Sequence, residues 1–336
     1  MSGFVTVSIG SGLVDTIYGN CQVPIKSFLE KQGEAFEQES LLKTLFRMQN
    51  SNHWAEGYAG ETAMDNFQPV GEGGAYPTTG FQEAYKQTIV NEEWKQSFSV
   101  TQTLVEDNQL ATMKSRANKL ITAYHRTREQ FGRAIYAGAL KGTEVQFSGK
   151  TFNTKSADGV ALFSKEHTNK VDKKKQSNLY AGEFTAANLD AVETNMQNAK
   201  GDNGQLLAIS PDTILIPNDA KLKRQVFEVI GADKDPGTGN NGFNYQFGRW
   251  NVICDPYLTM ELARLGITDK PWILLDSKFI QTYDGAIFQN RVNLNIRSEI
   301  DPNNDNNVWK GRARFAAGFV DWRFAAAGGM TGGTAL

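Results

Sequence analysis

The sequence predicts an α+β fold in which flat β-layers hang on one long helix. Three observations carry this reading. A proline-free run from Asn108 to Leu140 keeps a helical period. Short β-type runs flank it on both sides, and glycine-rich stretches that cannot build a core separate them.

In the long run, Leu110, Met113, Ala117, Leu120, Ile121, Tyr124, Phe131 and Ile135 recur three and four apart and form one stripe. Lys114, Arg116, Lys119, Arg126, Arg128, Glu129 and Arg133 fill the opposite side. Asp107 and Asn108 are N-cap candidates, and Gly138 and Gly142 stand where a helix frays and stops. Roughly 32 residues at about 1.5 Å each make a rod of about 48 Å. The same spacing fits an ordinary surface helix of an enzyme or a short coiled coil, so the other elements decide.

Residues 1–23 are mixed and rich in Gly, Ser and Val, as in an extended arm. Pro24 opens a helix to about Gln49, with Gly33 as an interruption. Asn50 to Gly80 carries glycine and proline in the density of a protruding hairpin tip. Trp94, Phe98 and Val100 alternate with Lys95, Ser97, Ser99 and Thr101, so a hairpin leaving at Ala63 returns by Val100. Residues 143–183 read as a loop-rich excursion with a solvated cluster at Lys170, Lys173, Lys174 and Lys175.

Thr185 caps the next helix, with Phe184 and Leu189 as a staple, an inner face of Leu189, Val192, Met196 and Ala199, and Gly201 past its end. Thr213–Ile216 is a short buried strand, and a helix from Asp219 to Ile230 stops at Gly231. Tyr245, Phe247, Trp250 and Val252 read as strand or hairpin positions, and Pro271–Asp276 as a second buried strand. Val308–Phe324 reads as strand, with Arg312 and Arg314 on one face and Ala313 and Phe315 on the other. The tail from Ala325 reads as loosely held.

Composition excludes several classes. The net charge of −2 argues against holding nucleic acid by a basic surface. Cys21 and Cys254 make no disulfide framework, which fits a reducing compartment. The N-terminus has no signal-peptide pattern and no run approaches a membrane span, so a soluble, cytoplasmically made protein is expected. The Gly71–Gly74 run lacks the Gly-Lys-Ser/Thr of a phosphate loop, and the glycines of 231–242 lie outside any strand-to-helix fingerprint. His53, His125 and His167 have no partner at metal-ligand spacing. Asp301–Asn307 resembles a calcium loop but lacks its central glycine and has Arg312 at the bidentate position, so it reads as a turn. No G-x-S-x-G or paired-carboxylate text appears. No catalytic residue, cofactor or metal is therefore expected.

The order of the pieces is similar to that of the major capsid protein of a tailed bacteriophage, in the Hong Kong 97-type capsid fold. FSVTQTLVEDNQ before the long helix resembles the family's entry into its spine helix. ALFSKEHTN (161–169) resembles the segment after it, ISPDTILIPNDAKL (209–222) the strand-then-helix of the axial domain, and GRARFAAGFVDWR (311–323) the closing strand. The resemblance covers about residues 50–325. It implies an N-terminal arm and helix over 1–55, an extended hairpin over 56–95, and a peripheral domain over 96–200 that includes the spine helix 108–140. It further implies an axial domain over 201–305 and a return strand and tail over 306–336.

The function implied is a virion shell subunit that assembles in the host cytoplasm through pentamers and hexamers into an icosahedral head. Its implied partners are copies of itself, a portal protein, a separate scaffolding protein, and packaged double-stranded DNA bound without sequence preference; no membrane partner is implied. Physical reasoning agrees, because a glycine-rich hairpin and an arm bury area only on neighbours, which would offset their ordering entropy. Exposed Phe67, Tyr76 and Trp94 are the expected interface anchors. Arg312, Arg314 and Arg323, with Asp321, are expected to make charge-assisted contacts within or between subunits, or else to line an ordinary charged sheet face. An encapsulin, which is a cellular shell around enzyme cargo, an α/β hydrolytic enzyme, and a bacterial surface or tail protein are the alternatives. The long hairpin and separate arm favour the phage reading over the encapsulin.

Overall fold

The computed structural model describes residues 5–9, 31–61, 67–78, 83–107, 110–171, 173–202, 204–231 and 243–336. In chain order these begin with β1 (Val5–Ile9), α1 (residues 31–39), α2 (Leu42–Leu45), β2 (Arg47–Asn50), β3 (Ala55–Glu61), β4 (Glu83–Val90) and β5 (Glu92–Val100). The short α3 (Gln102–Glu106) leads to the spine α4 (Leu110–Lys141), then β6 (Glu144–Phe147), β7 (Lys150–Asn153), β8 (His167–Thr168) and β9 (Lys175–Gln176). Next come α5 (Ala186–Gln197), β10 (Thr213–Pro217), α6 (Ala220–Ile230), β11 (Asn251–Asp255), α7 (Pro256–Leu265), β12 (Trp272–Leu275) and α8 (Ser277–Thr282). Two long strands, β13 (Ala286–Ile300) and β14 (Asn307–Phe319), precede the short β15 (Ala325–Gly328).

These strands make two principal sheets. In one, the order is β1-β13-β14-β5, with β2 also paired to β13; β1 and β2 run parallel to β13 and the other pairs are antiparallel. In the other, the order is β11-β10-β12-β15. β10 and β12 are buried along their whole length, the signature of strands covered on both faces.

The spine has the predicted 32 residues, shifted by one or two positions. Met113, Ala117, Leu120 and Ile121 form a small core with Val100, Leu294, Ile296 and Trp309 from the far half of the five-stranded sheet. Here one side of the helix is covered and the other is open. From Phe131 to Leu140 every residue is buried, which departs from the predicted polar face. Small residues explain it. A Cβ at Gly132 would stand 2.5 Å from Leu42 Cδ2, and one at Gly138 would stand 2.4 Å from Val145 Cβ, so neighbours close in on all sides. Arg133, placed on the polar face by periodicity, is buried and donates from Nε to Asp255 Oδ2 at 2.5 Å. Asp255 also caps α7, accepting from Tyr257 N at 2.8 Å. Gly138 is thus a packing residue and not a stop.

Other expectations shift for local reasons. Gly33 lies inside α1, and the break falls at Ser40, whose hydroxyl bonds Glu129 of the spine. Residues 10–30, including the proposed start at Pro24, lie outside the described residues. Thr185 caps α5 as expected, accepting from Asn188 N at 3.2 Å, but the helix closes at Asn198, before Gly201. Asp219 caps α6, and Gly231 ends it. Tyr245 and Phe247 sit in a turn before β11, because Asn244 and Gln246 turn inward and hold it. The 143–183 excursion carries two short hairpins, β6–β7 and β8–β9, and His167 in it is fully buried. Asp301–Asn307 is the turn between β13 and β14, closed by Asp301 N donating to Asn306 O at 2.9 Å. The tail is the largest correction: Ala325–Gly328 is a buried strand against β12, and a Cβ at Gly328 would stand 2.2 Å from the Trp272 ring.

The five expected stretches do not coincide with the sheets. β13 starts inside the stretch 201–305 yet pairs with β14, and β15 lies beyond 306 yet completes the other sheet. Each sheet therefore takes strands from distant parts of the chain.

Candidate assembly surfaces

The first surface is the hairpin β3–β4, registered Ala55 to Val90. Its base is held by a small polar network. Asn91 Nδ2 donates to Ser51 Oγ at 2.8 Å, Ser51 Oγ to Glu56 Oε1 at 2.8 Å, and Asn52 N to the same oxygen at 3.0 Å. These donors, Ser51 first, hold the Glu56 carboxyl below its usual range. Ile89 packs on Ile287 and Ala316. Tyr58 accepts from Gln289 Nε2 at 2.8 Å, and burial pushes its phenol up.

Beyond this base the described tip, residues 67–78, is exposed throughout. Phe67 is 102% and Tyr76 is 94% exposed, so neither ring packs against the described residues. The stretch 55–90 carries Glu56, Glu61, Asp65, Glu72 and Glu83 against Lys86 alone, a net charge of −4.

The second surface is the face of the five-stranded sheet turned away from the spine. A groove of about 690 Å³ runs over it, lined by Lys95, Asn295, Arg297, Glu299, Lys310 and Arg312 among others. Strand pleating puts these side chains together: Arg297 is level with Lys310, and Arg312 with both Asn295 and Lys95. Glu93 lies 2.8 Å from Lys95 Nζ and is also bonded by Arg312, and these two cations bring its carboxyl down to about 2. Glu299 pairs with Lys310. Four cations against two paired carboxylates leave the groove positive in a chain that is negative as a whole.

The six expected anchors therefore separate. Phe67 and Tyr76 are free at the tip. Arg312 lies in the groove and half-buried Arg314 follows on the same strand face, with Ala313 and Phe315 turned into the core. Trp94 is corrected: its ring stacks on Phe315 at 4.8 Å between centroids, and its Nε1 donates to Phe315 O at 3.2 Å. Alternation along β5 gave it the right face, but that face is the core. Arg323 makes charge-assisted contacts within the subunit, one of the two expected arrangements. It is 7% exposed and bonds Asp202 at 3.0 Å and Asp321 at 3.1 Å inside the subunit. Burial alone would lower its guanidinium, but Asp321 and Asp202 outweigh that and raise it.

Among the described residues no three His, Cys, Asp or Glu side chains converge as a metal site, and no helix is long and apolar enough to cross a membrane. Ser156, Asp158 and His167 lie together, but the serine bonds the aspartate at 2.5 Å and His167 Nε2 faces Leu162 O at 3.0 Å. No ring nitrogen is left for a nucleophile, so this is not a triad.

A profile of the phage capsid protein family matches residues 85–328, from β4 through β15. The chain belongs to the phage capsid protein family. It is a major capsid protein, a structural component of the virion capsid whose copies assemble into a shell. Its α+β fold is also that of tailed-phage capsids. A structure from Mycobacterium phage Patience superposes with a TM-score of 0.53 at 10% identity, over 97% of this chain and 92% of that one. The capsid of Cyanophage P-SCSP1u gives 0.49 at 9% identity over 88% of each chain. The capsid of an empty GTA particle gives 0.49 at 14% identity, over 86% of this chain and 89% of that one. No curated protein matches the sequence. The cellular-shell and hydrolase alternatives are not favoured.

Proposed function

We propose that this capsid protein is a non-catalytic subunit that forms pentamers and hexamers, which close into an icosahedral head around double-stranded DNA. In this reading the four-stranded sheet belongs to the axial part, around each ring, and the five-stranded sheet to the peripheral part. The hairpin of each copy lies on the open face of a neighbour's five-stranded sheet. One observation carries the contact: an acidic hairpin with two exposed rings at its tip, in the same subunit as a basic groove that is open among the described residues. A heterologous contact of this kind joins copies head to tail, and closure depends on the rotation between them. Phe67 and Tyr76 are the anchors, and Arg312 and Arg314 belong to the receiving face. Assembly in the host cytoplasm, a portal protein and a separate scaffolding protein complete the proposal. DNA is contained without sequence readout, and a chain of net charge −2 does not grip it.

The test is electron microscopy of the purified protein, expressed with and without a candidate scaffolding protein. Closed shells or rings are expected. Deleting Asp65–Tyr85 is expected to leave a folded, soluble subunit that makes no shells, and normal particles from that variant would refute the role of the hairpin. A co-purifying enzyme cargo would favour the cellular-shell alternative.

A further inference from the structure

The chain passes between the two sheets three times, once by the long route from β5 through the spine to β10 and twice by short connections. Residues 283–285 lead from α8 into β13, and residues 320–324 lead from β14 into β15. Short connections between two sheets are where a hinge would sit, since a hinge is a few residues free to change φ and ψ. These connections are not free. Val320 N donates to Gly285 O at 2.9 Å, and a Cβ at Gly285 would meet Phe324 at 2.6 Å, so the two connections are packed on each other.

The loops after the spine then clamp them. Trp322 stacks on His167 at 4.2 Å with the rings 8° apart, and His167 Nδ1 is 2.6 Å from Asp158 Oδ2. Ala157 N donates to Val320 O at 3.0 Å. Asn178 Nδ2 donates to Leu162 O at 2.7 Å and to Ala325 O at 3.0 Å. Arg323 reaches Lys200 O at 3.0 Å besides its two aspartates. The apolar core around this crossing is continuous, with Phe315 and Phe319 of one sheet and Ile214 and Trp272 of the other in the same cluster.

We infer that the crossing is a weld: the Arg323 clamp and the His167–Trp322 stack make the two sheets one cooperative unit. Opening it would leave a buried guanidinium and its carboxylates unpaired and break a close-packed interior, both costly. Rigidity here has a consequence for the shell. Copies in rings of five and of six keep the same angle between sheets, and differences in curvature are taken up by the hairpin and the open half of the spine. That consequence rests on the proposed shell; the weld itself does not.

Calorimetry of the full-length subunit, dissociated from any particle, tests the weld. The unaltered protein is expected to melt in one transition whose calorimetric and van't Hoff enthalpies agree. Arg323→Met is expected to split it into two or to raise that ratio well above one. His167→Gln, which removes the stacked imidazole while keeping a polar side chain, is the milder variant if Arg323→Met does not fold. Two transitions in the unaltered protein, or one unchanged transition in the soluble variant, would overturn the weld. If shells form, sheet-to-sheet angles that differ between five-fold and six-fold copies would overturn the consequence alone.

Discussion

The two halves of the spine live in different surroundings. From Met113 to Ile121 the helix rests one stripe on a sheet and leaves its other side to solvent. From Phe131 to Leu140 it is buried on every side, with α7 and β6 packed against it. The same element is therefore the edge of a thin plate and the centre of a thick body. Along one rod, one-sided cover thus gives way to cover on every side.

Substitutions in matched pairs test the contrast. Phe131→Ala is expected to cost about 3–5 kcal/mol, and Leu120→Ala in the thin half about 2 kcal/mol, at the low end for a buried leucine, because a one-sided site relaxes more readily. Denaturant unfolding at unchanged slope measures both, and equal costs would erase the distinction. Arg133→Ala should cost about 3–5 kcal/mol by stranding buried Asp255, whereas exposed Arg126→Ala should stay within about 0.5 kcal/mol.

At the junction of the halves, burial brings His125 down to about 4 from its ordinary 6.5. The unfolded chain therefore binds the extra proton first. Stability is complete above pH 6.5 and falls as the pH drops towards 4, by up to roughly 3 kcal/mol. Thermal midpoints across that range should lose this slope in His125→Gln. The smallest pair is Gly132→Ala, which crowds Leu42 and costs about 1–3 kcal/mol. Against it, exposed Ser115→Ala should stabilise by a few tenths, about 0.5 kcal/mol at most.

Much of this contrast was absent from a periodicity reading. The stripe of Met113, Ala117, Leu120 and Ile121 was legible because one-sided burial writes itself as a period. Burial on all sides has no period, and the available sign was the uncharged, small-residue run Ala134–Leu140. The cap at Thr185, the helix start at Asp219 and the buried strands Thr213–Pro217 and Trp272–Leu275 were legible because each depends on neighbours in sequence. Trp94 was misplaced, and the Asp202 partner of Arg323 was missed, because Phe315 and Asp202 are more than a hundred residues from them; the Asp321 partner was legible because it is two residues away. The tail was misread because Ala-Ala-Ala-Gly looks like filler until Trp272 lies beside it. At the candidate surfaces, the exposure of Phe67 and Tyr76 followed from the glycine-rich text. The basic groove did not, since it is assembled from three strands.

Both sheets are completed by pairings between strands far apart in the chain. β1 pairs with residues 294–298, and the four-stranded sheet gains its last strand only with residues 325–328. Pairings of that sequence separation close slowly and cannot close on a partial chain. A nascent subunit thus reaches the ribosomal exit with its groove unbuilt, because β14 and β13 supply most of it. Until β14 has been made, a growing chain therefore lacks the receiving face of the proposed contact.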